Sequence, residues 1–196
     1  LPEGDLRYVT PGGTGDGLTP GSAMGSIQQA VDEVPAGGTV VLSTGRFVEN
    51  VTIDRPVSLQ GVCARDTVIE AASPMPEQVI EQDVNNAPIM DASFRREAAV
   101  LRITENHTRA VRDLQVTGER IGVLVEQGEI DLQGLWLADT KLFGLSGYAE
   151  TGTLTIRADG LAATDVHGSE AHAPAPILGL PSETYGHGIM LNEVMD

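Results

Sequence analysis

Aromatic side chains, cysteines and long apolar runs are all scarce in this chain of 196 residues. Phe, Trp and Tyr together make up 4% of the sequence, so aromatic packing contributes little to any core. No apolar run approaches the roughly 18 consecutive residues that a membrane helix needs, and we therefore expect no membrane span. The single cysteine, Cys63, cannot form a disulfide within the chain, so packing and hydrogen bonds must hold the fold.

Positive charge is scarce as well, because 12 Lys and Arg residues face 28 Asp and Glu residues, for a formal net charge of −16. A field of this sign repels phosphate groups, which argues against nucleic acid and anionic membranes as partners. The chain does not begin with Met, and no basic segment followed by an apolar one opens it. We therefore expect a mature or excised piece of a longer protein, in which any export signal has already been removed.

A loop over residues 1–21 and one capping helix over residues 22–35 are predicted for the N-terminal part. Ser22 or Ser26 can cap the helix by accepting a hydrogen bond from a free backbone N–H. Pro35 ends the helix. The glycine-rich run over residues 11–17 lacks the lysine and the preceding strand of a phosphate-binding loop, so nucleotide binding is disfavoured. The apolar stripe of the helix, with spacings of three and four, consists of Ala23, Ile27, Ala30, Val31 and Val34.

Many short strands are predicted over residues 39–196, where runs rich in Val, Ile, Leu and Thr alternate with Gly, Asp, Asn and Pro. No amphipathic helix lies between these runs, which argues against a fold with helical crossovers. Asn-Gly and Asp-Gly pairs are nearly absent between adjacent runs, which disfavours a meander of hairpins.

An internal repeat indicates a parallel β-solenoid. Residues 111–117 overlay residues 132–138 at a shift of 21, and residues 132–140 overlay residues 156–164 at a shift of 24. Like residues should then stack, coil upon coil, with a rise of about 4.8 Å. The helix is expected to cover the first coil, while the open far end would pack on further coils or on another chain. The predicted columns are Leu114, Leu135 and Asp159 in one case and Val116, Leu137 and Leu161 in the other.

The segment from Ser26 to Ile53 resembles the entry segment of pectin-lyase-like right-handed parallel β-helix proteins. The likeness consists of the helix, the strand Gly-Gly-Thr-Val-Val-Leu that ends at Leu42, and the Gly-x-Phe-x-Glu-x-Val-x-Ile pattern that starts at Gly45. This resemblance implies an all-β, right-handed parallel β-helix with an N-terminal capping α-helix. It does not decide the activity, because the superfamily holds lyases, hydrolases, esterases, tailspikes, adhesins and inert surface proteins.

Two segments break the period and are the places where function is expected, near residues 71–99 and 166–186. The second segment and its flanks are rich in histidine, carboxylate and tyrosine, namely Asp165, His167, Glu170, His172, Tyr185 and His187. Gly186-His187-Gly188 resembles the Gly-His-Gly of pectin-degrading glycosidases in the superfamily. The resemblance makes Asp165 and His187 catalytic candidates if the chain is an enzyme. The second acid that hydrolysis by paired carboxylates needs is offered by Glu170 or, one coil below Asp165, by Asp139. The Asn-Thr-Asp of that family is missing, and its paired aspartates are reduced to Asp165 here.

Alternatives to catalysis remain open for the same residues. The His167–His172 spacing matches no metal-ligand template, so we predict no metal site and no cofactor, although calcium on stacked turn carboxylates is conceivable. Trp136 lies between Leu135 and Leu137, and strand alternation places it on the opposite face, where it can stack on a sugar ring.

The main hypothesis from the sequence is a non-catalytic scaffold or binding module, secreted or on the surface of a bacterial-type cell, for a polysaccharide or a cell-surface partner. The alternative is a polysaccharide-active hydrolase or lyase with a site around Asp165–His187. The candidate ligand-binding residues are Trp136, Tyr148, Tyr185, His167 and His172.

Overall fold

The computed structural model describes residues 5–76, 81–82, 88–89, 96–104, 110–149, 154–167 and 187–193. Short strands dominate this part of the chain, an α-helix lies near its start, and residues 96–98 are helical as well. In chain order the elements are β1 (Leu6–Val9), a 3-10 turn (Pro20–Ser22), α1 (Ile27–Glu33), β2 (Thr39–Leu42), β3 (Gly45–Val48), β4 (Val51–Ile53), β5 (Ser58–Gln60), β6 (Thr67–Glu70), β7 (Glu81–Gln82), β8 (Pro88–Ile89), β9 (Ala99–Ile103), β10 (Ala110–Arg112), β11 (Gln115–Thr117), β12 (Ile121–Val125), β13 (Gly128–Gln133), β14 (Trp136–Ala138), β15 (Phe143–Ala149), β16 (Leu154–Asp159), β17 (Ala162–Thr164) and β18 (His187–Glu193).

Three parallel sheets wrap the chain into a solenoid. Sheet A has the spatial order β1-β2-β5-β10-β13-β16, sheet B the order β3-β6-β11-β14-β17, and sheet C the order β4-β9-β12-β15-β18. Each full coil adds one strand to each sheet, so the chain turns at an A–B corner and then at a B–C corner. The strands β7 and β8 form a separate antiparallel pair within the first insertion. The predicted all-β solenoid is confirmed.

Alternate residues of each strand face the interior and stack in columns. In sheet B one column runs through Phe47, Ile69, Val116 and Leu137, in four successive coils. All four side chains are buried, as are the equivalent residues of sheets A and C. Because consecutive strands lie in different sheets, short apolar runs without hairpin turns are what this architecture requires.

The last described coil is two residues out of register with the predicted overlay. Val116 and Leu137 stack as predicted, but the next residue in their column is Ala163 and not Leu161. Ala162 pairs with Trp136, so Leu161, the residue before Ala162, falls in the column of Leu135.

Backbone conformation at the A–B corner explains this error. Gly134 and Gly160 follow paired residues at the ends of β13 and β16, and both have positive φ, 59° and 66°. Asp159 accordingly pairs with Gln133 and does not belong to the Leu114 column. The repeat overlay aligned Leu137 with Leu161. The register of the last coil is set instead by the A–B turn, which needs a residue in the left-handed conformation.

The capping helix is shorter than the predicted 22–35. It spans Ile27–Glu33, with Ser26 as the N-cap that accepts a hydrogen bond from the backbone N–H of Gln29. Ser22 belongs to the 3-10 turn, Ala23 is extended, and Met24 forms a parallel bridge with Val9, so this segment adds to the edge of the first coil instead of extending the helix.

The carboxylate of Glu49 lies over the start of this helix. Its Oε2 accepts from the backbone N–H of Ile27 at 2.7 Å, and its Oε1 accepts from the hydroxyl of Ser26 at 2.5 Å. The first N–H groups of a helix have no partner within the helix and favour negative charge. Glu49, the acid of the Gly-x-Phe-x-Glu pattern, therefore joins the helix to the B–C corner of the first coil.

Both long insertions arise at the B–C corner. The first connects β6 to β9 and the second connects β17 to β18, and the short corners of the two coils between them separate the two insertions. The guanidinium of Arg120, at the corner between them, donates to the carbonyls of Ser73, Pro74 and Glu97. These three residues lie where the first insertion leaves and rejoins the solenoid, so one buried side chain holds both of its ends.

A second apolar cluster lies beside the main core. In this cluster, Met75 and Ala98 of the first insertion pack with Leu124 and Phe143 of sheet C. Leu124 faces outward, since its neighbours Val123 and Val125 belong to the core, and yet it is 1% exposed. The described ends of the first insertion therefore pack against the outer side of the solenoid.

Candidate functional site

Trp136 lies on the outer face of sheet B, as strand alternation predicted. Leu135 and Leu137 on either side of it are buried in the core, whereas Trp136 is half-buried. Its indole Nε1 donates to the hydroxyl Oγ1 of Thr164 at 2.9 Å. This hydrogen bond orients the ring and gives a partner to the N–H, which is the polar group of the indole.

The outward neighbours of Trp136 are small or polar. In its own column lie Gln115 one coil below and Ala162 one coil above, and Ala162 is small and exposed. The next outward column contains Ala138 and, one coil above it, Thr164. Since the indole bonds to Thr164, the ring extends diagonally toward the B–C corner.

Two aspartates occupy equivalent positions at that corner. Ala138 pairs with Thr164, so Asp139 and Asp165 are the residues that follow in successive coils. Both have the left-handed conformation, with φ of 48° and 52°. Aspartate tolerates this conformation better than most residues, since its short side chain can bond locally. Successive coils are separated by about 4.8 Å, and Asp139 therefore lies one coil below Asp165.

His167 lies beside this pair. Its Nε2 is 3.6 Å from Oδ1 of Asp139, with side-chain exposures of 63% and 71%. At such exposure an ion pair contributes little to stability. The backbone of His167 is fixed more firmly, since its N–H donates to the carbonyl of Thr140 at 2.7 Å and its carbonyl accepts from Leu142 at 2.8 Å. The second insertion therefore starts from a defined point next to Asp139.

His187 returns the chain to the same corner. It is the first residue of β18 and pairs with Phe143, the first residue of β15. In the coil below, four residues separate the end of β14 from Phe143. Asp165 and the backbone of His187 thus bracket one corner of the last described coil. Tyr148 pairs with Asn192 at the far end of the same two strands, away from the corner.

Three predicted site residues, Glu170, His172 and Tyr185, lie outside the described residues. Within the described ranges, no group of three His, Cys, Asp or Glu side chains is arranged to hold a metal ion. Nor does any described helix have the length and apolar character needed to cross a bilayer.

Thr164 and Arg120 belong to this region and escaped the sequence analysis. The role of Thr164 follows from the register of the last coil, which the repeat overlay placed two residues away. Nothing in the local sequence of Arg120 signals its function, because its partners lie 23 to 47 residues away along the chain.

Comparison with known proteins places the architecture. No protein-family model and no curated protein matches the chain. A pectin methylesterase variant solved with a bound hexasaccharide is similar in structure, with 13% sequence identity and a TM-score of 0.53 over 84% of this chain. Two further pectin methylesterase structures, one of them from Erwinia chrysanthemi, align over 72% and 73% of the chain with 14% and 12% identity and TM-scores of 0.45 and 0.48.

This chain has a parallel β-helix fold like that of the first of these esterases. The predicted fold-level resemblance is confirmed. The chain spans about half the length of the matched esterases, 51% of the first and 49% of the other two. At these identities the likeness concerns the fold alone.

Proposed function

We propose that this chain is a non-catalytic β-helix module that binds a glycan on the outer face of sheet B, with Trp136 as its platform. The observation that supports this most is the outward, half-buried indole fixed by Thr164. Aromatic faces bind the apolar faces of sugar rings, and a side chain that is already ordered loses less entropy on binding.

The solenoid suits this role, because Trp136 is carried by a strand and not by a loop. The strand is paired on both sides, to β11 and to β17, and its interior residues are packed in the main core. A binding residue on such a rigid element keeps its orientation in the free protein. Such a module would act outside the cell or on the cell surface, on a polysaccharide or another surface partner.

A glycan array followed by calorimetry on the bound glycans tests this proposal. Trp136→Ala should abolish binding, whereas Val48→Ala, which trims an exposed apolar residue on the same outer face in the first coil, should leave it unchanged. Circular dichroism should show both variants folded. Array signals that survive Trp136→Ala would rule out the platform.

The alternative is a polysaccharide-active enzyme at the B–C corner. It is favoured by one observation, the stacking of Asp139 and Asp165 in successive coils with the backbone of His187 at the same corner. Hydrolysis by paired carboxylates needs two acids about 5 to 9.5 Å apart across the sugar.

Incubation with a panel of polysaccharides, followed by ultraviolet absorbance and reducing-end assays, tests for such an enzyme. Product that is lost in both Asp165→Ala and His187→Ala would establish catalysis and overturn the non-catalytic proposal. Product that persists in both variants would place catalysis at another site.

A further inference from the structure

The sequence contains two Asp-Gly pairs, Asp16-Gly17 and Asp159-Gly160, and no Asn-Gly pair. Aspartate followed by glycine is prone to spontaneous rearrangement, because glycine has no side chain to hinder attack by its backbone nitrogen on the aspartate carboxyl. In a folded protein the reaction also requires that the carboxyl and the backbone N–H are free to meet. The two pairs of this chain differ in this respect.

The fold holds both reacting groups of the first pair. Oδ1 of Asp16 accepts from the hydroxyl of Ser22 at 2.7 Å and from the backbone N–H of Leu18 at 3.1 Å. The N–H of Gly17 donates to the carbonyl of Ser22 at 2.7 Å, and the carbonyl of Gly17 accepts from Tyr8 at 2.8 Å. Gly17 is buried as well. Attack by its nitrogen therefore requires these bonds to open first.

The second pair is free at both groups. Asp159 ends β16, which is the last strand of sheet A in the described part of the chain, and Asp159 and Gly160 are both exposed. The carbonyl of Asp159 accepts from the N–H of Gly134 at 2.8 Å. Within the described contacts, the carboxylate of Asp159 and the N–H of Gly160 have no hydrogen-bond partner.

We propose that Asp159-Gly160 is a site of spontaneous aspartate isomerisation. The backbone nitrogen of Gly160 attacks Cγ of Asp159, a C–N bond forms, and the carboxyl hydroxyl leaves with the proton of the nitrogen as water. A water molecule then opens the cyclic imide. Opening at the main-chain carbonyl gives isoaspartate, in which the backbone runs through the side chain, and opening at the other carbonyl restores aspartate. The sum of the two steps consumes nothing and leaves the mass unchanged.

Isomerisation at this position alters a short corner of the solenoid. Only Gly160 and Leu161 separate β16 from β17, and Thr164 of β17 accepts the hydrogen bond of the Trp136 indole. Isoaspartate adds one methylene carbon to the main chain, so β17 should lose its register with β14 and Thr164 should move away from the indole. Trp136 is the only tryptophan of the chain, and its fluorescence therefore reports this change whether or not a glycan binds.

Long incubation of the folded protein near neutral pH, followed by peptide mapping with electron-transfer fragmentation, tests the proposal. Isoaspartate should form about ten times faster at Asp159 than at Asp16, because the held pair must first open locally. In guanidinium-unfolded protein the two rates should agree within about a factor of two, since the contacts that protect Asp16 are then absent.

Two variants test the link to Trp136. Asp159→Glu keeps the charge but closes a six-membered imide far more slowly, so its fluorescence should stay constant over the same incubation. Thr164→Val removes the partner of the indole and gives the fluorescence that the fully isomerised parent protein should approach.

Equal rates at the two aspartates in the folded protein overturn the proposed site. So does an absence of isoaspartate at Asp159 over a period in which the unfolded protein forms it. Isoaspartate that accumulates at Asp159 with the same fluorescence as in Asp159→Glu overturns the link to Trp136 and leaves the modification site in place.

Discussion

The side-chain amide of Gln28 bonds to both backbone polar groups of Thr52. Its Oε1 accepts from the N–H of Thr52 at 2.8 Å, and its Nε2 donates to the carbonyl of the same residue at 3.0 Å. Thr52 lies in β4, which is the edge strand of sheet C. The helix therefore supplies, through one amide, the pairing that another strand would give. Unpaired edges of this kind otherwise recruit other chains.

Gln28→Ala should weaken the protein and expose this edge. Loss of two hydrogen bonds at a half-buried site should lower the free energy of unfolding by about 1–2 kcal/mol. Urea denaturation measures this loss, and light scattering at rising protein concentration should detect association.

Gln29→Ala is the matched control for Gln28→Ala, because Gln29 lies on the same helix but is exposed, and its side chain bonds only to that of Glu33 within the described contacts. Equal stability and equal scattering of the two variants would contradict the edge-capping role of Gln28.

The glycine-rich segment over residues 11–17 serves close packing of backbone against backbone. Gly15 donates its N–H to the carbonyl of Ala23 at 3.0 Å, and a Cβ added at Gly15 would overlap the carbonyl of Ser22. Gly15→Ala should therefore cost about 2–4 kcal/mol in the free energy of unfolding, because both elements are backbone and neither can turn away.

Gly12→Asn provides the comparison for Gly15→Ala. A Cβ at Gly12 meets no atom within 4 Å, and asparagine tolerates its positive φ of 72°. Thermal unfolding followed by circular dichroism should show a large drop in Tm for Gly15→Ala and a small one for Gly12→Asn. The packing role would be refuted by similar Tm values.

Sequence reasoning predicted the solenoid because alternation, turn residues and period all depend on local spacing. It named Ser26 as a possible helix cap and placed Glu49 in a pattern, but it could not predict that the Glu49 carboxylate binds the start of the helix, since Ser26 and Ile27 come from a distant part of the chain. It placed Trp136 on the outer face correctly, because alternation decides this within three residues. It could not find Thr164 as the partner of the indole, because that contact depends on the register of the last coil.

Arg120 should prove essential for holding the first insertion. Its side chain is buried, with the residue 5% exposed, and burial lowers the pKa of Arg120 although the charge of Glu97 acts in the opposite direction. Arg120→Met removes the donor to three carbonyls and should cost about 2–4 kcal/mol. Arg120→Lys should restore little, because an ammonium cannot reproduce the planar guanidinium fork.

Limited proteolysis measures the state of the insertion in the Arg120 variants, with cleavage expected within residues 71–98 and faster than in the parent protein. Arg46→Met is the control, since Arg46 forms an exposed pair with Glu70 and should matter by less than about 1 kcal/mol. A cleavage rate unchanged in Arg120→Met would show that other contacts hold the insertion.

Asp16 should make the N-terminal segment sensitive to acid. The hydroxyl of Ser22, at 2.7 Å from Oδ1, and the backbone N–H of Leu18 lower the pKa of Asp16 below its usual value. A carboxyl with a depressed pKa in the folded protein stabilises the fold at pH values above its unfolded pKa of about 3.9. This contribution is lost as the pH falls through the lower, folded pKa, because the folded state must then bind the proton.

An NMR titration of the Asp16 carboxyl checks this directly, with a midpoint expected below that of an unstructured aspartate. Ser22→Ala removes the main donor and should move the midpoint up toward the ordinary value. In Asp16→Asn, the free energy of unfolding should change less with pH over the range in which the Asp16 carboxyl titrates. A midpoint at or above the ordinary value in the parent protein, or one unmoved by Ser22→Ala, would show that the hydroxyl does not stabilise the charged form.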